Sequence, residues 1–180
     1  KVKAVIGLSV PYIRRGAISN IELWKQLYEG KFFYQVYFQK EGIAEKELEK
    51  NISTSLRKIY YWASAEGYYD NVRSNSNINS GLLDGIPNPN PFPKWLSEKD
   101  LNYFTSEFEK SGFRGPINRY RNQERDWELI PELSSLKIEV PSFFIGGGKD
   151  GVRRFIKGYD FYENPGKYCN HFYGKLIIEK

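Results

Sequence analysis

The chain has 180 residues, 40% of them hydrophobic and 27% charged, the composition of a soluble globular protein long enough to bury one sizeable core. No apolar run approaches the roughly 20 residues that a membrane-spanning helix needs, and the opening Lys1-Val2-Lys3-Ala4-Val5-Ile6 reads as a strand, too short for a secretory signal. The net charge is +5, but its basic residues (Arg14 with Arg15, Arg119 with Arg121, Arg153 with Arg154) are scattered among acids such as Glu124, Asp126 and Glu128, which argues against the continuous basic face of a nucleic-acid binder.

Cys169 is the single cysteine, so no internal disulfide forms and a reducing, cytoplasmic setting is expected. With His171, the single histidine, it makes too small a set for a metal site, and neither a metal nor a cofactor is expected. The first residue is Lys rather than Met, which leads us to expect a piece of a longer protein.

Taken in order, Val2 to Val10 is β-branched and mostly apolar, a buried strand that Pro11 should end. An exit loop follows to Gly16. Ile21 to Tyr28 is a short amphipathic piece closed by Gly30. Phe33-Tyr34-Gln35-Val36-Tyr37-Phe38-Gln39 reads as extended or looped; as a strand it would put Tyr34, Val36 and Phe38 on one face. From Glu45 to Ala65 the apolar residues Leu48, Ile52, Leu56, Ile59 and Ala63 recur at helical spacing, with Gly67 as the stop. Asp70 to Gly81 is Asn/Ser-rich and reads as a mobile loop.

Asn88 to Pro93 alternates prolines and is expected to be an ordered loop, because Phe92 and Trp95 give it something to bury. Ser97 is a helix cap with Asp100 as its acidic third position; Leu101, Phe104 and Phe108 form the apolar stripe, and Gly112 the stop. Arg119 to Trp127 is expected to be helical. Ile138 to Gly148 is a second buried strand ending in glycines. Val152 to Tyr159 is a short helix candidate, Pro165 to Tyr173 is turn-like, and Lys175 to Glu179 is a third strand. Strand, long helical insertion, strand, helix, strand is an α/β plan with a cap spliced into it.

Two aromatic stretches carry the functional signal. One is Phe33 to Gln39. The other is Gly112-Phe113-Arg114-Gly115-Pro116-Ile117-Asn118-Arg119-Tyr120-Arg121-Asn122. Rings of this kind serve either as core packing or as a pocket wall. In a wall, two tyrosines from separate segments could donate to one ligand oxygen, since phenols stay protonated at neutral pH.

The first stretch, continued through Glu41-Gly42-Ile43-Ala44-Glu45, is similar to the lid of the soluble epoxide hydrolases of the α/β-hydrolase superfamily. The second resembles the same family's Gly-Phe-x-Gly-x-x-Asn-x-Tyr-Arg-Asn segment. The resemblance extends over most of the chain and is weakest from Tyr68 to Asn79. It implies an α/β-hydrolase core fragment with a mostly helical lid: residues 1–16 as core strand and exit loop, 17–130 as lid, and 131–180 as the C-terminal part of the core.

The resemblance also implies chemistry. A nucleophilic Asp attacks an epoxide carbon, two tyrosines hold the oxygen, and a His held by a second Asp activates water against the resulting ester. By position, Tyr34 and Tyr120 are the oxygen-binding pair and Gln35 lies beside Tyr34 on the pocket wall. Asp150, closing Phe144-Ile145-Gly146-Gly147-Gly148-Lys149-Asp150, is the relay acid. Gly151 stands where relatives carry a proline or a bulkier residue, so a looser loop is expected there. Nucleophile and histidine are expected upstream and downstream of this chain, and His171 reads as a surface residue. The expected partners are a small epoxide and water, with no nucleic acid. The alternatives are another lid-bearing α/β-hydrolase of the haloalkane dehalogenase kind, a non-catalytic ligand-binding derivative of the fold, and an unrelated aromatic-rich structural domain. For the dehalogenase, none of Trp24, Trp62, Trp95 and Trp127 sits in a matching motif.

Overall fold

The computed structural model describes residues 1–69 and 77–179. The chain forms two compact units, residues 1–18 with 127–180, and residues 19–126. The first holds a three-stranded parallel sheet in the order β1 (Val5–Leu8), β2 (Ser142–Gly147), β3 (Phe172–Ile178). Parallel neighbours cannot be joined by a hairpin, and here the whole helical unit is the connection between β1 and β2. Register runs from Val5 opposite Ser142 to Leu8 opposite Ile145. Between β2 and β3 it slips once, near Ser142 and Phe144.

The first two strands are shorter than the sequence suggests. β1 ends at Ser9, whose φ of 63° turns the chain two residues before Pro11. β2 begins after Pro141, and Ile138 contributes only an isolated parallel bridge to Cys169. β3 starts earlier than expected, at Phe172. The expected helix at Val152–Tyr159 is a single 3-10 turn, Gly151–Arg154, which Asp150 caps by accepting the Val152 N–H. Ser142 and Phe144 of the central strand are buried, while Ile6 and Leu8 of β1 and Leu176 and Ile178 of β3 remain exposed.

The second unit is helical: α1 (Asn20–Leu27), α2 (Tyr34–Tyr37), α3 (Ile43–Glu49), α4 (Ile52–Trp62), α5 (Ala65–Tyr69), α6 (Glu98–Ser111), α7 (Arg114–Arg121) and α8 (Gln123–Leu129), the last running on past residue 126. Its core gathers Phe38, Ala44, Leu48, Leu56, Leu82 and Ile117, with Phe104 and Phe108 packed against it. The Ser97–Asp100 capping box forms as read, and Gly112 closes α6 with a φ of 65° that suits glycine.

Four expectations are corrected here. The first tyrosine stretch is a helical turn, not a strand. The 45–65 segment is two helices, because Asn51 turns extended and caps α4 by accepting the Thr54 N–H at 2.9 Å. Gly67 lies inside α5 rather than ending α4. The helix expected at Arg119–Trp127 is likewise two, α7 and α8, with Asn122 between them.

Of the loop expected at Asp70–Gly81, positions 70–76 lie outside the described residues. The remainder is tied down. Asn77 bridges Lys31, and the Glu47 carboxylate accepts the N–H groups of Leu82 and Leu83 at 2.9 Å each and the Tyr37 hydroxyl at 2.7 Å. In the proline loop Phe92 is buried but Trp95 is exposed, its ring standing edge-on to Phe92 at 5.2 Å. Arg57 holds that loop by donating to the Pro89 carbonyl at 2.6 Å and to Glu98 at 2.7 Å. Among the described residues no helix is long and apolar enough to cross a membrane, and no group of three or more His, Cys, Asp or Glu could hold a metal.

Candidate functional site

Tyr34 opens α2 directly after the extended, buried Phe33. One helical turn brings Phe38 edge-on to Tyr34, ring centroids 5.6 Å apart. Two further rings close around Tyr34 edge-on: Trp62 of α4 at 6.0 Å and Tyr120 of α7 at 5.5 Å, the latter at 82°. Phe38 also packs on Tyr120 at 5.2 Å. The two tyrosines expected to act together therefore do meet, and their rings stand in the edge-to-face geometry that aromatic quadrupoles favour.

A chain of amides runs beside them. Gln123 Nε2 donates to Gln35 Oε1 at 3.1 Å, and Gln35 Nε2 donates to Tyr34 Oη at 2.8 Å. The first bond sets the direction of the second: with its carbonyl oxygen engaged, Gln35 presents its amino group to the phenol. Tyr34 Oη thus accepts from Gln35 and also hydrogen-bonds with Tyr120. Gln39 Nε2 spans the two segments, donating to the Gln35 carbonyl at 2.7 Å and the Tyr120 carbonyl at 3.2 Å. Gln123 Oε1 is buried with no hydrogen-bond partner among the described residues.

The electrostatics favour a protonated phenol. Burial pushes the Tyr34 hydroxyl well above its ordinary value, and the neighbouring Tyr120, by charge and by hydrogen bond, adds to the effect. Gln35 and Arg119 pull weakly the other way.

Arg121 fixes how α7 meets α2. Its guanidinium forms a two-pronged pair with Glu45, at 2.5 and 2.9 Å, and donates to the Phe38 carbonyl at 2.8 Å and the Lys40 carbonyl at 3.2 Å. Those carbonyls end α2, so one side chain locks the segment after Tyr34 to the residue after Tyr120. The two side chains are 10% and 12% exposed. The Arg121 hydrogen bond is the main reason the Glu45 carboxyl is lowered to about 2.

Asp150 lies in the sheet unit, at the carboxyl end of β2 where open α/β sheets place functional groups. Its Oδ2 accepts from the Ser9 hydroxyl and from the Tyr162 hydroxyl, the latter at 2.7 Å, and Oδ1 accepts the Val152 N–H at 2.9 Å. Three donors on a carboxylate with about four acceptor positions leave one open. Tyr162 is 1% exposed and its hydroxyl also reaches the Ser9 carbonyl at 2.6 Å. Burial raises the pKa of this phenol, with Asp150 adding to the rise.

Gly146 makes room for Tyr162: a Cβ there would stand 2.4 Å from the ring. A Cβ at Gly151 would meet no atom within 4 Å, and the donors to Asp150 come from Ser9, Tyr162 and Val152. His171 is exposed, and it is its backbone carbonyl that accepts, from Ser142.

Sequence reading missed Gln39, Trp62 and Gln123 at the first site, and Ser9 and Tyr162 at the second. Gln123 had a signal in its spacing, one helical turn beyond Tyr120. The other partners meet through tertiary packing alone.

No family model matches the chain. Individual relatives do. Epoxide hydrolase A of Mycobacterium tuberculosis is 34% identical over 158 residues, which are 87% of this chain and 49% of the relative. The bifunctional epoxide hydrolase 2 of Rattus norvegicus is 34% identical over 86% of this chain and 27% of its own length. Among solved structures, epoxide hydrolase A from Mycobacterium thermoresistibile superposes with a TM-score of 0.85 at 30% identity, covering 98% of this chain and 55% of that one. Potato (Solanum tuberosum) epoxide hydrolase I gives 0.81 at 29% identity, over 99% and 55%. The chain spans about half the length of the first of these relatives or less. In sequence and in fold, this chain resembles the epoxide hydrolases of the α/β-hydrolase superfamily over most of its length.

Proposed function

We propose that the chain is part of an epoxide hydrolase that opens a small epoxide to a vicinal diol through an aspartyl ester. In this reading a carboxylate supplied from outside the 180 residues attacks one epoxide carbon. The C–O bond breaks, and Tyr34 and Tyr120 donate hydrogen bonds to the oxygen as it becomes an alkoxide, which then takes up a proton from solvent. A histidine, also from outside the chain, removes a proton from water. The water oxygen attacks the ester carbonyl, the acyl–oxygen bond breaks, the leaving oxygen takes the proton held by the histidine, and the diol leaves as the carboxylate is restored and the second water proton passes to solvent. Asp150 orients that histidine through its remaining acceptor position, and Gln35 fixes the Tyr34 hydroxyl.

The observation that carries this reading is the meeting of Tyr34 and Tyr120, with the Tyr34 phenol partly buried, held protonated and already supplied with a donor by Gln35. The test is Tyr34→Phe and Tyr120→Phe in a catalytically complete enzyme that contains this chain. Each change removes a hydroxyl and keeps the ring, and each is expected to lower epoxide turnover by about 10²–10³-fold. Unchanged turnover in both overturns the assignment. The 180 residues alone are expected to give no turnover above the buffer rate.

A further inference from the structure

The helical unit contains a groove of about 450 Å³ that none of Tyr34, Gln35 and Tyr120 lines. This volume falls in the roughly 300–1,000 Å³ range of small-molecule sites. Its apolar wall comes from Trp24 of α1, Phe33 and Val36 around α2, Ile43 of α3 and Ile78. The strand-like bridge between Lys31 and Asn77 holds the Ile78 side in place.

The charged groups of the lining are unequal: Lys25, Lys31 and Lys40 against Glu29. The Lys25 ammonium lies 3.9 Å from the Glu22 carboxylate. Among the described residues no carboxylate pairs with Lys31 or Lys40. Ile43 and Ile78 are 48% and 64% exposed, large apolar side chains that share the lining with Lys31 and Lys40.

From this pairing we infer that the groove binds a small amphipathic monocarboxylate, its hydrocarbon body against Trp24, Val36, Ile43 and Ile78 and its carboxylate at Lys31 and Lys40. A purely polar anion would leave the wall wet, and a neutral hydrocarbon would leave the ammonium groups unused. The inference does not rest on the epoxide reading, because it concerns other residues and needs no turnover.

Decanoate, 1-decanol and acetate are the probes, titrated below micelle formation into the 180-residue protein and followed by NMR at the Trp24 indole and the Ile43 and Ile78 methyl groups. Decanoate is expected to shift all three signals saturably. Acetate is expected to shift none. Decanol is expected to bind about tenfold more weakly, the difference two solvent-exposed ion pairs supply. The double variant Lys31→Glu/Lys40→Glu should lose about the same factor for decanoate and nothing for decanol. Ile78→Asp, at a position exposed enough to spare the fold, should weaken both ligands.

No saturable shift with decanoate overturns the site. Equal binding of decanoate and decanol, or a charge-reversal variant that binds decanoate as well as the parent, overturns the carboxylate. A concentration-dependent dimer abolished by Ile78→Asp gives the groove to a second copy and overturns the small ligand.

Discussion

The tyrosine pair and Asp150 are held in opposite ways. Tyr34 is enclosed mostly by rings, those of Phe38, Trp62 and Tyr120, and one amide bonds its oxygen. Asp150 receives three donors, from Ser9, Tyr162 and Val152. The difference follows from charge. A neutral phenol can be buried against carbon, and burial helps it by keeping the proton on. A carboxylate in the same surroundings would lose far more hydration than packing returns, so its place has to be built from hydrogen bonds. Ring contacts position a donor without committing its proton. Donors position an acceptor by filling all but one of its lone pairs.

The largest effect that would break this comparison is catalytic. If the two sites serve different stages, Asp150→Asn and Tyr34→Phe slow different steps of a complete enzyme. Asp150→Asn is expected to leave the rapid formation of the ester intact and to slow its hydrolysis by about 10³–10⁴-fold. Tyr34→Phe is expected to slow ester formation itself. Single-turnover kinetics separate the two, and the same slowed step in both variants would show that the sites do not divide the reaction.

Next in size is the clamp between α2 and α7. Arg121→Ala removes a guanidinium from a nearly buried carboxylate and from two backbone carbonyls. A loss of about 3 kcal/mol in stability is expected by urea denaturation. A loss below about 0.5 kcal/mol, the size of a surface change, would mean that ring packing alone sets how Tyr34 meets Tyr120. At the other site Tyr162→Phe keeps the ring and removes one donor from Asp150. The expected cost is about 1–2 kcal/mol, and Gly146→Ala, which drives a methyl group into that ring, should cost about 2 kcal/mol. If Tyr162→Phe were neutral while Gly146→Ala was costly, Tyr162 would act by packing, and Asp150 would be held by Ser9 and Val152.

What could be read from the sequence divides along the same line. Local devices were legible. The Ser97–Asp100 box and the Gly112 stop need only neighbours within a turn, and both formed as written. The two tyrosine stretches were legible because their residue order resembles a known pattern, and curated relatives carry the same resemblance over most of the chain. Local reading failed where two periods fit one stretch. Tyr34, Val36 and Phe38 alternate like a strand, but Tyr34 and Phe38 are also one helical turn apart, and the buried residues are Phe33, Gln35 and Phe38. It failed at Asn51 because the apolar spacing of residues 48–63 continues across a cap that interrupts the backbone. Nothing local could show that Tyr162 lies under Asp150, since Gly146 creates that space by lacking a side chain.

The smallest expected effect concerns pH, and it bears on the clamp alone. The Glu45 carboxyl falls from 4.5 to about 2, chiefly through its hydrogen bond from Arg121. A folded-state value below the unfolded one means that unfolding takes up a proton as the pH drops. The pair's stabilisation is therefore complete above about pH 4.5 and is lost progressively as the pH falls from there toward 2. Partial solvent contact reduces the gain to about 1 kcal/mol. The measurement is urea denaturation of the parent and of Glu45→Gln at pH 7 and pH 3. The parent should lose about 1 kcal/mol more than the variant between the two. Because Asp160, lowered by Arg153, titrates in the same direction in both proteins, the difference between them isolates Glu45. An equal loss in the two would place the acid sensitivity outside the tyrosine site, and the Arg121 clamp would then act through its backbone carbonyls at Phe38 and Lys40 rather than through its charge.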